Sequence, residues 1–237
     1  MNNFKNKRYL ITGASSGLGR ELSIELDKRD ADLTITGRNE DELKKTLDHL
    51  KGLGHLSFPF DLNDTENLDL LFNNIFNENL SYDGFIHCAG VHTFLPLNLI
   101  KLNELQLAFN VNVISPHLII KEISKKKNFN ENASLLLITS VMGMQGSSSL
   151  SVYSSSKAAQ IGMVKSLAVE LSKKNIRINS IAASMLESKI LDKVKGKTSK
   201  DSFDEIEKKH LLGLGNYDDI IPSITHLLST DSKWITG

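Results

Sequence analysis

A glycine-rich segment, Thr12-Gly13-Ala14-Ser15-Ser16-Gly17-Leu18-Gly19, follows a short apolar run at residues 9–12. After it, leucines recur every fourth residue at positions 18, 22 and 26, which predicts an amphipathic helix over 17–29. A strand, a glycine-rich turn and a helix in this order form a phosphate-binding unit, because the glycines let the backbone approach the phosphates and the helix presents free N–H groups. We therefore expect a dinucleotide to contact Gly13, Ser15, Ser16, Gly17, Leu18 and Gly19.

Short apolar runs alternate with longer helical stretches along the rest of the chain. Strands are predicted at 33–36, 56–60, 84–87, 135–139 and 176–181, and helices at 40–51, from Asp64 or Thr65 onward, at 101–125 and at 152–174. This alternation predicts a doubly wound parallel α/β sheet, a Rossmann fold, with its ligand crevice at the carboxyl ends of the strands. We expect one domain over 1–237 and interpret the lysine-rich residues 185–212 as a substrate lid, with a solvated surface insertion as the alternative.

Composition excludes several classes of protein. Lysine plus arginine and aspartate plus glutamate number 28 each in 237 residues, so no basic surface for nucleic acid or anionic membrane is expected. Cys88 is the sole cysteine, which excludes an intrachain disulfide and favours a cytoplasmic protein. The seven histidines lack metal-ligand spacing, and no Gly-x-Ser-x-Gly elbow of a hydrolase is present. We expect no metal and a small-molecule substrate.

A tyrosine and a lysine four residues apart begin the last long predicted helix. Tyr153 and Lys157 share a helical face, which places an ammonium beside a phenol. A cation lowers the pKa of a phenol from about 10, and a group that titrates near the working pH is an effective acid or base. Alone, such a pair is typical of a helix surface. Ser140 lies thirteen residues earlier, at the carboxyl end of a predicted strand on the crevice side, and so favours catalysis over a surface pair.

The Gly-x-x-x-Gly-x-Gly turn, Ser140 and Tyr153-x-x-x-Lys157 together resemble the classical short-chain dehydrogenase/reductases. The resemblance implies strand order 3-2-1-4-5-6 and hydride transfer between a nicotinamide cofactor and a carbonyl or secondary alcohol. It makes Tyr153 the general acid or base, with Lys157 stabilising the phenolate and holding the ribose, and Ser140 orienting the substrate oxygen. Asn112, rather than its neighbour Asn110, matches the asparagine that supports a water relay to the lysine. A homodimer or homotetramer is also implied.

Cofactor choice depends on the end of the second predicted strand, Thr36-Gly37-Arg38-Asn39. A carboxylate here would bind the ribose 2′-hydroxyl and select NAD(H), but none is present. Arg38 can instead pair with a 2′-phosphate through its fork of N–H donors. The sequence thus favours NADP(H), with NAD(H) as the alternative if Arg38 is an ordinary surface residue.

Further cofactor contacts follow from the resemblance alone. It assigns Asp61 and Leu62 to the adenine, and Leu186 and Ser188 to the carboxamide. It assigns Cys88, Ala89 and Gly90 to the ribose, although His87-Cys88 stands where the family has two asparagines. His92, just beyond, is a candidate substrate contact.

The chain departs from the family pattern at two other places. Ala183-Ser184 replaces a usual Pro-Gly, and residues 234–237 stand where a seventh strand would follow, so we expect that strand to be missing. These departures leave open a dinucleotide-binding regulatory protein with a weak site. A sugar-nucleotide epimerase or dehydratase of the longer branch fits the glycine spacing less well. No motif identifies the substrate, and keto-acyl thioesters, keto sugars and small ketones all remain candidates.

Overall fold

A computed structural model of the chain describes residues 4–76, 80–187, 191, 196 and 200–237. Its centre is one parallel sheet with the order 3-2-1-4-5-6, which confirms the predicted α/β fold and strand order. The strands are β1 (Arg8–Thr12), β2 (Asp32–Gly37), β3 (Leu56–Pro59), β4 (Tyr82–His87), β5 (Phe129–Ser140) and β6 (Arg177–Ala183).

The described helices are α1 (Gly17–Asp27), α2 (Glu40–His49), α3 (Leu68–Phe76), α4 (Leu102–Phe109), α5 (Ser115–Ile123), α6 (Ser151–Ser172), α7 (Lys200–Lys208) and α8 (Tyr217–Leu228). The helix predicted over 101–125 is in fact α4 and α5 joined by a π-helical turn, Asn110–Ile114. The expected cap at Asp64 or Thr65 is wrong, because α3 begins later, at Leu68, and the Asp64 carboxylate accepts from the side chain of Asn67 in the preceding turn. No described helix is long and apolar enough to cross a membrane.

Apolar side chains pack on both faces of the sheet. In β1, Leu10 faces a core shared with α3, α5 and α6, while Tyr9 and Ile11 face a second core shared with α1 and α8. The continuous apolar run of β5 follows from this arrangement, since alternate residues of a strand point to opposite faces and both faces are covered. Both faces of the sheet are therefore covered by helices, and the polar groups described below lie at its carboxyl edge.

The final residues run along the outer edge of β6. Gly237 N donates to the Ile178 carbonyl at 2.9 Å, and Ile178 N donates to Thr236 Oγ1 at 3.1 Å. Among the described residues the sheet has six strands, as expected.

The predicted lid at 185–212 is described only in part. It contains α7, and its Leu191 and Phe203 are buried. At its base, Glu187 N donates to the Gly215 carbonyl at 2.7 Å, which anchors the segment beside the start of α8. A lid function for this segment stays a prediction.

Candidate active site

The turn between β1 and α1 packs directly against the end of β4. Gly13 and Gly17 have φ values of +70° and +57°, a region that favours glycine. A Cβ on Gly13 would lie 2.6 Å from Ala89 N, and a Cβ on Gly19 would lie 2.7 Å from the Gly13 carbonyl carbon. Gly13 and Gly19 therefore allow a close approach between backbone segments that a side chain would prevent.

The N-terminus of α1 suits an anion. Its N-cap residue, Ser16, makes no capping hydrogen bond with its side chain, and the first turn of α1 contains no acidic residue. The first N–H groups of a helix have no partners within the helix and carry partial positive charge. A cradle of glycine backbone that leads into such a helix end fits the pyrophosphate of a dinucleotide.

Arg20 holds this turn against α2. Its guanidinium donates to the Ser15 carbonyl at 2.5 Å, to Glu42 Oε2 at 2.8 Å and to Thr46 Oγ1 at 2.9 Å. Side-chain hydrogen bonds from Lys45 and Arg20 lower the pKa of Glu42 to about 2. Sequence reasoning missed Arg20, because its partner Glu42 lies 22 residues away on another helix with no spacing that links them.

Arg38 is exposed immediately after β2, at the rim of the same turn. A Cβ on the preceding residue, Gly37, would lie 3.0 Å from Ser15 Oγ, so this strand end and the glycine-rich turn are adjacent. Asp61, beyond β3, is also exposed and accepts from Asn63 N at 3.0 Å, while Leu62 is buried in the core. Arg38 thus presents a guanidinium where an anionic group bound near the turn can reach it.

His87 takes a structural place at the end of β4. Its Nδ1 forms a 2.9 Å hydrogen bond with Thr12 Oγ1, which ties β4 to β1. Burial, and secondarily the charge of Lys157, lowers the pKa of His87 to about 3, so the imidazole stays neutral. Its Nε2 lacks a partner in good geometry, and the Val111 carbonyl opposes the pKa shift only weakly.

Cys88 and Gly90, which follow β4, differ in chemical character. Burial raises the pKa of the Cys88 thiol to about 12, so a neutral thiol is present at physiological pH. Gly90 has no side chain, and a Cβ there would lie 3.6 Å from both Lys157 Nζ and Asn112 Oδ1. The backbone at Gly90 therefore borders the polar groups described next.

Ser140 and Tyr153 meet at the carboxyl edge of the sheet. Ser140 ends β5, its Oγ accepts from Met142 N at 3.2 Å, and its side chain is close enough to Tyr153, in the first turn of α6, to lower the pKa of that phenol. Gly143 makes this possible, since a Cβ there would lie 2.9 Å from the Lys157 carbonyl carbon and would push the Ser140 turn away from α6. The His92 ring lies 4.6 Å from the Tyr153 ring, centroid to centroid.

Lys157 is buried one helical turn after Tyr153. Its Nζ donates to the Ile138 carbonyl at 2.8 Å and to Gln160 Oε1 at 3.1 Å, and it lies 5.9 Å from the centroid of the Tyr153 ring. Burial lowers the pKa of Lys157 from 10.5 to about 8, against a smaller raising effect from Cys88. The ammonium is therefore only partly populated in mildly alkaline solution.

Lys157 alone does not lower the pKa of Tyr153 in this structure. Burial raises that pKa, and the hydrogen bond with Ser140 opposes the rise without cancelling it. Lys157 directs hydrogen bonds to Ile138 and Gln160, so its charge does not offset the burial of the phenol. Tyr153 consequently holds its proton at neutral pH.

Asn112 lies inside the site, and Asn110 lies outside it. Asn112 is fully buried in the π-helical turn, where its Nδ2 donates to Ser156 Oγ at 2.9 Å and its Oδ1 accepts from Val91 N at 2.8 Å. Its carbonyl accepts from Gln160 Nε2 at 2.6 Å, while the side chain of Asn110 donates to Asn63 instead.

Gln160 is a second residue that sequence reasoning missed. A signal was present, because positions 153, 157 and 160 follow the spacing of four and three that lines one helical face. Leu186, a predicted carboxamide contact, pairs with Gly215, and Ser188 lies outside the described residues. Within the described ranges no group of His, Cys, Asp and Glu is suited to a metal ion.

Sequence comparison with curated proteins finds relatives that are reductases. A family model described as enoyl-(acyl carrier protein) reductase matches residues 13–237. The 3-oxoacyl-[acyl-carrier-protein] reductase of Rickettsia bellii is 30% identical over 231 residues, covering 96% of this chain and 91% of the relative. The L-xylulose reductase of Caenorhabditis elegans is 27% identical over 244 residues, covering 99% of this chain and 93% of the relative.

Solved structures with a similar fold include dehydrogenases with a bound nicotinamide cofactor. A 4-hydroxyisoleucine dehydrogenase complexed with NADH superposes with a TM-score of 0.88 at 25% identity, covering 98% of this chain and 94% of the other. A short chain dehydrogenase from Escherichia coli CFT073 complexed with NADPH gives 0.85 at 25% identity, covering 100% and 96%.

Proposed function

Because this chain belongs to the short-chain dehydrogenase/reductase family, we propose that it moves a hydride between NADP(H) and the carbon of a carbonyl or secondary alcohol. Membership makes it an NAD(P)-dependent oxidoreductase. The proposal adds the preferred cofactor, the reacting group and the residues that handle the proton.

One observation carries the proposal: Ser140 and Tyr153 lie together at the carboxyl edge of the sheet, close enough for the Ser140 side chain to lower the pKa of the phenol, with Lys157 buried one turn away. This edge also bears the glycine-rich turn, which is in contact with β4 through Ala89. A cofactor bound with its pyrophosphate at α1 can therefore extend past Gly90 toward Lys157 and Tyr153. When bound, NADPH supplies the hydride.

The protein's own residues handle the proton. In reduction, Ser140 donates a hydrogen bond to the carbonyl oxygen and orients it, which also stabilises the negative charge that develops there. Tyr153 gives its proton to that oxygen, and its raised pKa means that the proton is present at neutral pH. Lys157, charged below a pH of about 8, stabilises the phenolate that remains. In oxidation the same groups act in reverse.

Arg38 supports a preference for NADP(H). It is exposed next to the glycine-rich turn, and no carboxylate is present among residues 36–39 to bind a ribose 2′-hydroxyl. Structures similar to this chain include complexes with NADPH and with NADH, so the support comes from this residue and not from the family. NAD(H) is the alternative cofactor. Asp61 and Leu62 are proposed at the adenine, and Cys88 to Gly90 and Leu186 at the nicotinamide ribose and carboxamide.

The substrate class is best sought among activated ketones. Several curated relatives are 3-oxoacyl-[acyl-carrier-protein] reductases, and one is a reductase of a keto sugar. We propose that a 3-oxoacyl thioester is the first compound to test, with a keto sugar and a short ketone beside it. His92, whose ring contacts Tyr153, is proposed to border the substrate.

Self-association is proposed through the helices that flank the site. Leu102 on α4 and Val169 on α6 expose 68% and 73% of their surfaces, and such apolar side chains favour burial against a second copy. The sole cysteine is consistent with a reducing, cytoplasmic location.

The test is NADPH oxidation with this substrate panel, using Tyr153→Phe as the paired variant. Phenylalanine keeps the ring and removes the proton donor, so we expect turnover to fall by about 10³-fold while NADPH binding, followed by fluorescence, is retained. Near-normal turnover in the variant would show that Tyr153 is not the proton donor. Loss of both turnover and binding would point to a damaged fold and requires the milder Ser140→Ala instead.

A further inference from the structure

A glutamine in the middle of α6 joins the lysine to the π-helical turn. Gln160 is fully buried. Its Nε2 donates to the Asn112 carbonyl at 2.6 Å, and its Oε1 accepts from Lys157 Nζ at 3.1 Å. The carboxamide thus bridges a backbone carbonyl and an ammonium, and neither the family match nor the proposed reaction assigns it a role.

The orientation of this carboxamide is dictated by its two neighbours. The Asn112 carbonyl can only accept a hydrogen bond, so the amide nitrogen of Gln160 must face it. The oxygen must then face Lys157, which as an ammonium can only donate. A flipped amide would place its oxygen against the Asn112 carbonyl oxygen and its NH₂ group against the Lys157 ammonium. Both contacts would be repulsive, so the bridge has one stable arrangement.

The bridge also determines which N–H of Lys157 is available to a ligand. An ammonium has three N–H donors, and the Ile138 carbonyl and Gln160 take two of them. The remaining donor is available on the side where Gly90, with no side chain, borders Nζ. A lysine side chain has several rotatable bonds, and fixing them costs conformational entropy that these two hydrogen bonds offset.

We propose that Gln160 is a positioning residue for Lys157: by bridging Lys157 and the Asn112 carbonyl, it holds the ammonium against Gly90 with one N–H directed to the cofactor's ribose. This inference rests on the proposed function, in which Lys157 serves both the ribose and the phenol. Gln160 itself touches neither substrate nor cofactor, and it acts only through Lys157.

The charge on Lys157 responds to few neighbours. The titratable groups that face it in the described chain are His87 and Cys88 at the end of β4 and Tyr153 on its own helix. The first two are neutral at physiological pH because of their shifted pKa values, and Tyr153 retains its proton. The Ile138 carbonyl and the Gln160 oxygen are therefore the two hydrogen-bond acceptors that favour the charged form of the lysine.

The experiment compares Gln160→Leu, which removes both hydrogen bonds, with Gln160→Glu, which keeps an acceptor for Lys157 and adds a negative charge. Titration of ¹⁵N-labelled lysine side chains by NMR, with Lys157 assigned through Lys157→Arg, reads its pKa without cofactor or substrate. We expect the midpoint to fall in Gln160→Leu and to rise in Gln160→Glu. In turnover, kcat of Gln160→Leu should fall by about tenfold, whereas the KM for the carbonyl substrate should change little.

Ser232→Ala is the matched control, because Ser232 is also buried and its Oγ donates to the Leu227 carbonyl far from the site. It should lower the melting temperature without moving the Lys157 midpoint. A Lys157 midpoint that is unchanged in both glutamine variants would overturn the proposal, and if Gln160→Leu fails to fold, Gln160→Glu alone decides. A wild-type protein with no reductase activity would refute the proposed function, while the NMR titration would still decide the role of Gln160.

Discussion

The glycine-rich turn and the Tyr153–Lys157 cluster lie at the same edge of the sheet, but they are built by different forces. The turn is defined by close backbone packing: Gly13 lies against Ala89 with no room for a Cβ, and α1 begins without a side-chain cap. In the cluster, buried polar groups dominate, and burial sets the pKa values of Tyr153 and Lys157. The first region depends on atomic contacts, and the second depends on charge.

The glycine-rich turn is the part of the site that is complete without its ligands. A turn defined by packing has the same geometry whether or not a phosphate is bound, so it is preorganised for binding. The cluster has its atoms in place, but Tyr153 is held as a neutral phenol. Additional positive charge from a bound oxidised nicotinamide would favour the phenolate, which makes electrostatics the part of the site that changes during the reaction.

The largest effect is expected from filling the turn. Gly13→Ala places a Cβ 2.6 Å from Ala89 N at a φ of +70°, so the backbone of the turn must move. We expect NADPH affinity to fall by about 100-fold or more, and stability to fall by about 1–3 kcal/mol from backbone strain alone. Fluorescence titration and thermal unfolding measure the two effects. Wild-type affinity in this variant would mean that packing does not define the turn.

The next effect concerns the charge on Lys157. Its pKa of about 8 lies below the ordinary value of 10.5, so the ammonium is present at lower pH and is lost as pH rises through about 8. For reduction, kcat/KM should fall about tenfold per pH unit above that value, because this parameter reports the ionisation of the free enzyme. Tyr153, with its raised pKa, does not titrate in the same range. Lys157→Arg should remove this fall in kcat/KM above a pH of about 8. If the fall persists in the variant, another group is responsible for it.

A smaller effect is expected at the rim of the turn. Arg38→Ala should lower kcat/KM with NADPH by about 10- to 100-fold, the range for a lost hydrogen bond to a charged group, and should leave NADH use unchanged. Arg29→Ala is the control, since Arg29 is also a surface arginine but pairs with Glu25 at the end of α1. Equal loss with both cofactors would mean that Arg38 supports the fold and does not read a 2′-phosphate.

The smallest effect is expected at a glycine that has room for a side chain. Gly162 lies within α6 with nothing within 4 Å of a Cβ, unlike Gly13. Gly162→Ala should stabilise the protein by about 0.5–1 kcal/mol through helix propensity and a less flexible unfolded chain. Differential scanning calorimetry should show a slightly higher Tm with unchanged kcat. A lower Tm would reveal a contact at this surface, such as a second copy of the chain.

The sequence predicts the fold well because the fold depends on local and periodic signals. Leu18, Leu22 and Leu26 mark α1, the run 135–139 marks β5, and the glycines lie where the strand meets the helix. The pairing of Ser140 with Tyr153 could also be anticipated, since the carboxyl end of a strand and the start of the next helix meet at one edge of a sheet.

Other features of the site could not be predicted, because they depend on three-dimensional neighbours. The helical spacing places Gln160 on the face of Tyr153 and Lys157, but its contact with the Asn112 carbonyl joins residues 48 positions apart and has no signal in the sequence. The position of Lys157 four residues after Tyr153 does not reveal that the lysine donates to the Ile138 carbonyl, or that burial raises the pKa of the phenol in the protein alone. Arg20 and Glu42 meet only after β2 has returned the chain to the turn.

The π-helical turn at Asn110–Ile114 has a consequence for how this segment tolerates change in length. A π turn accommodates a residue more than an α-helical turn, and each residue of an α-helix advances about 100° around the axis. Deleting one residue here would let α4 and α5 fuse into a regular helix with both buried faces kept, because the wide turn already absorbs that residue. The deletion would instead remove the turn that places Asn112 Oδ1 against Val91 N and the Asn112 carbonyl against Gln160 Nε2. A residue deleted within α5 itself would rotate the rest of that helix by about 100° and turn its buried face toward water. The π turn therefore lets the buried faces of α4 and α5 and the contacts of Asn112 be satisfied together.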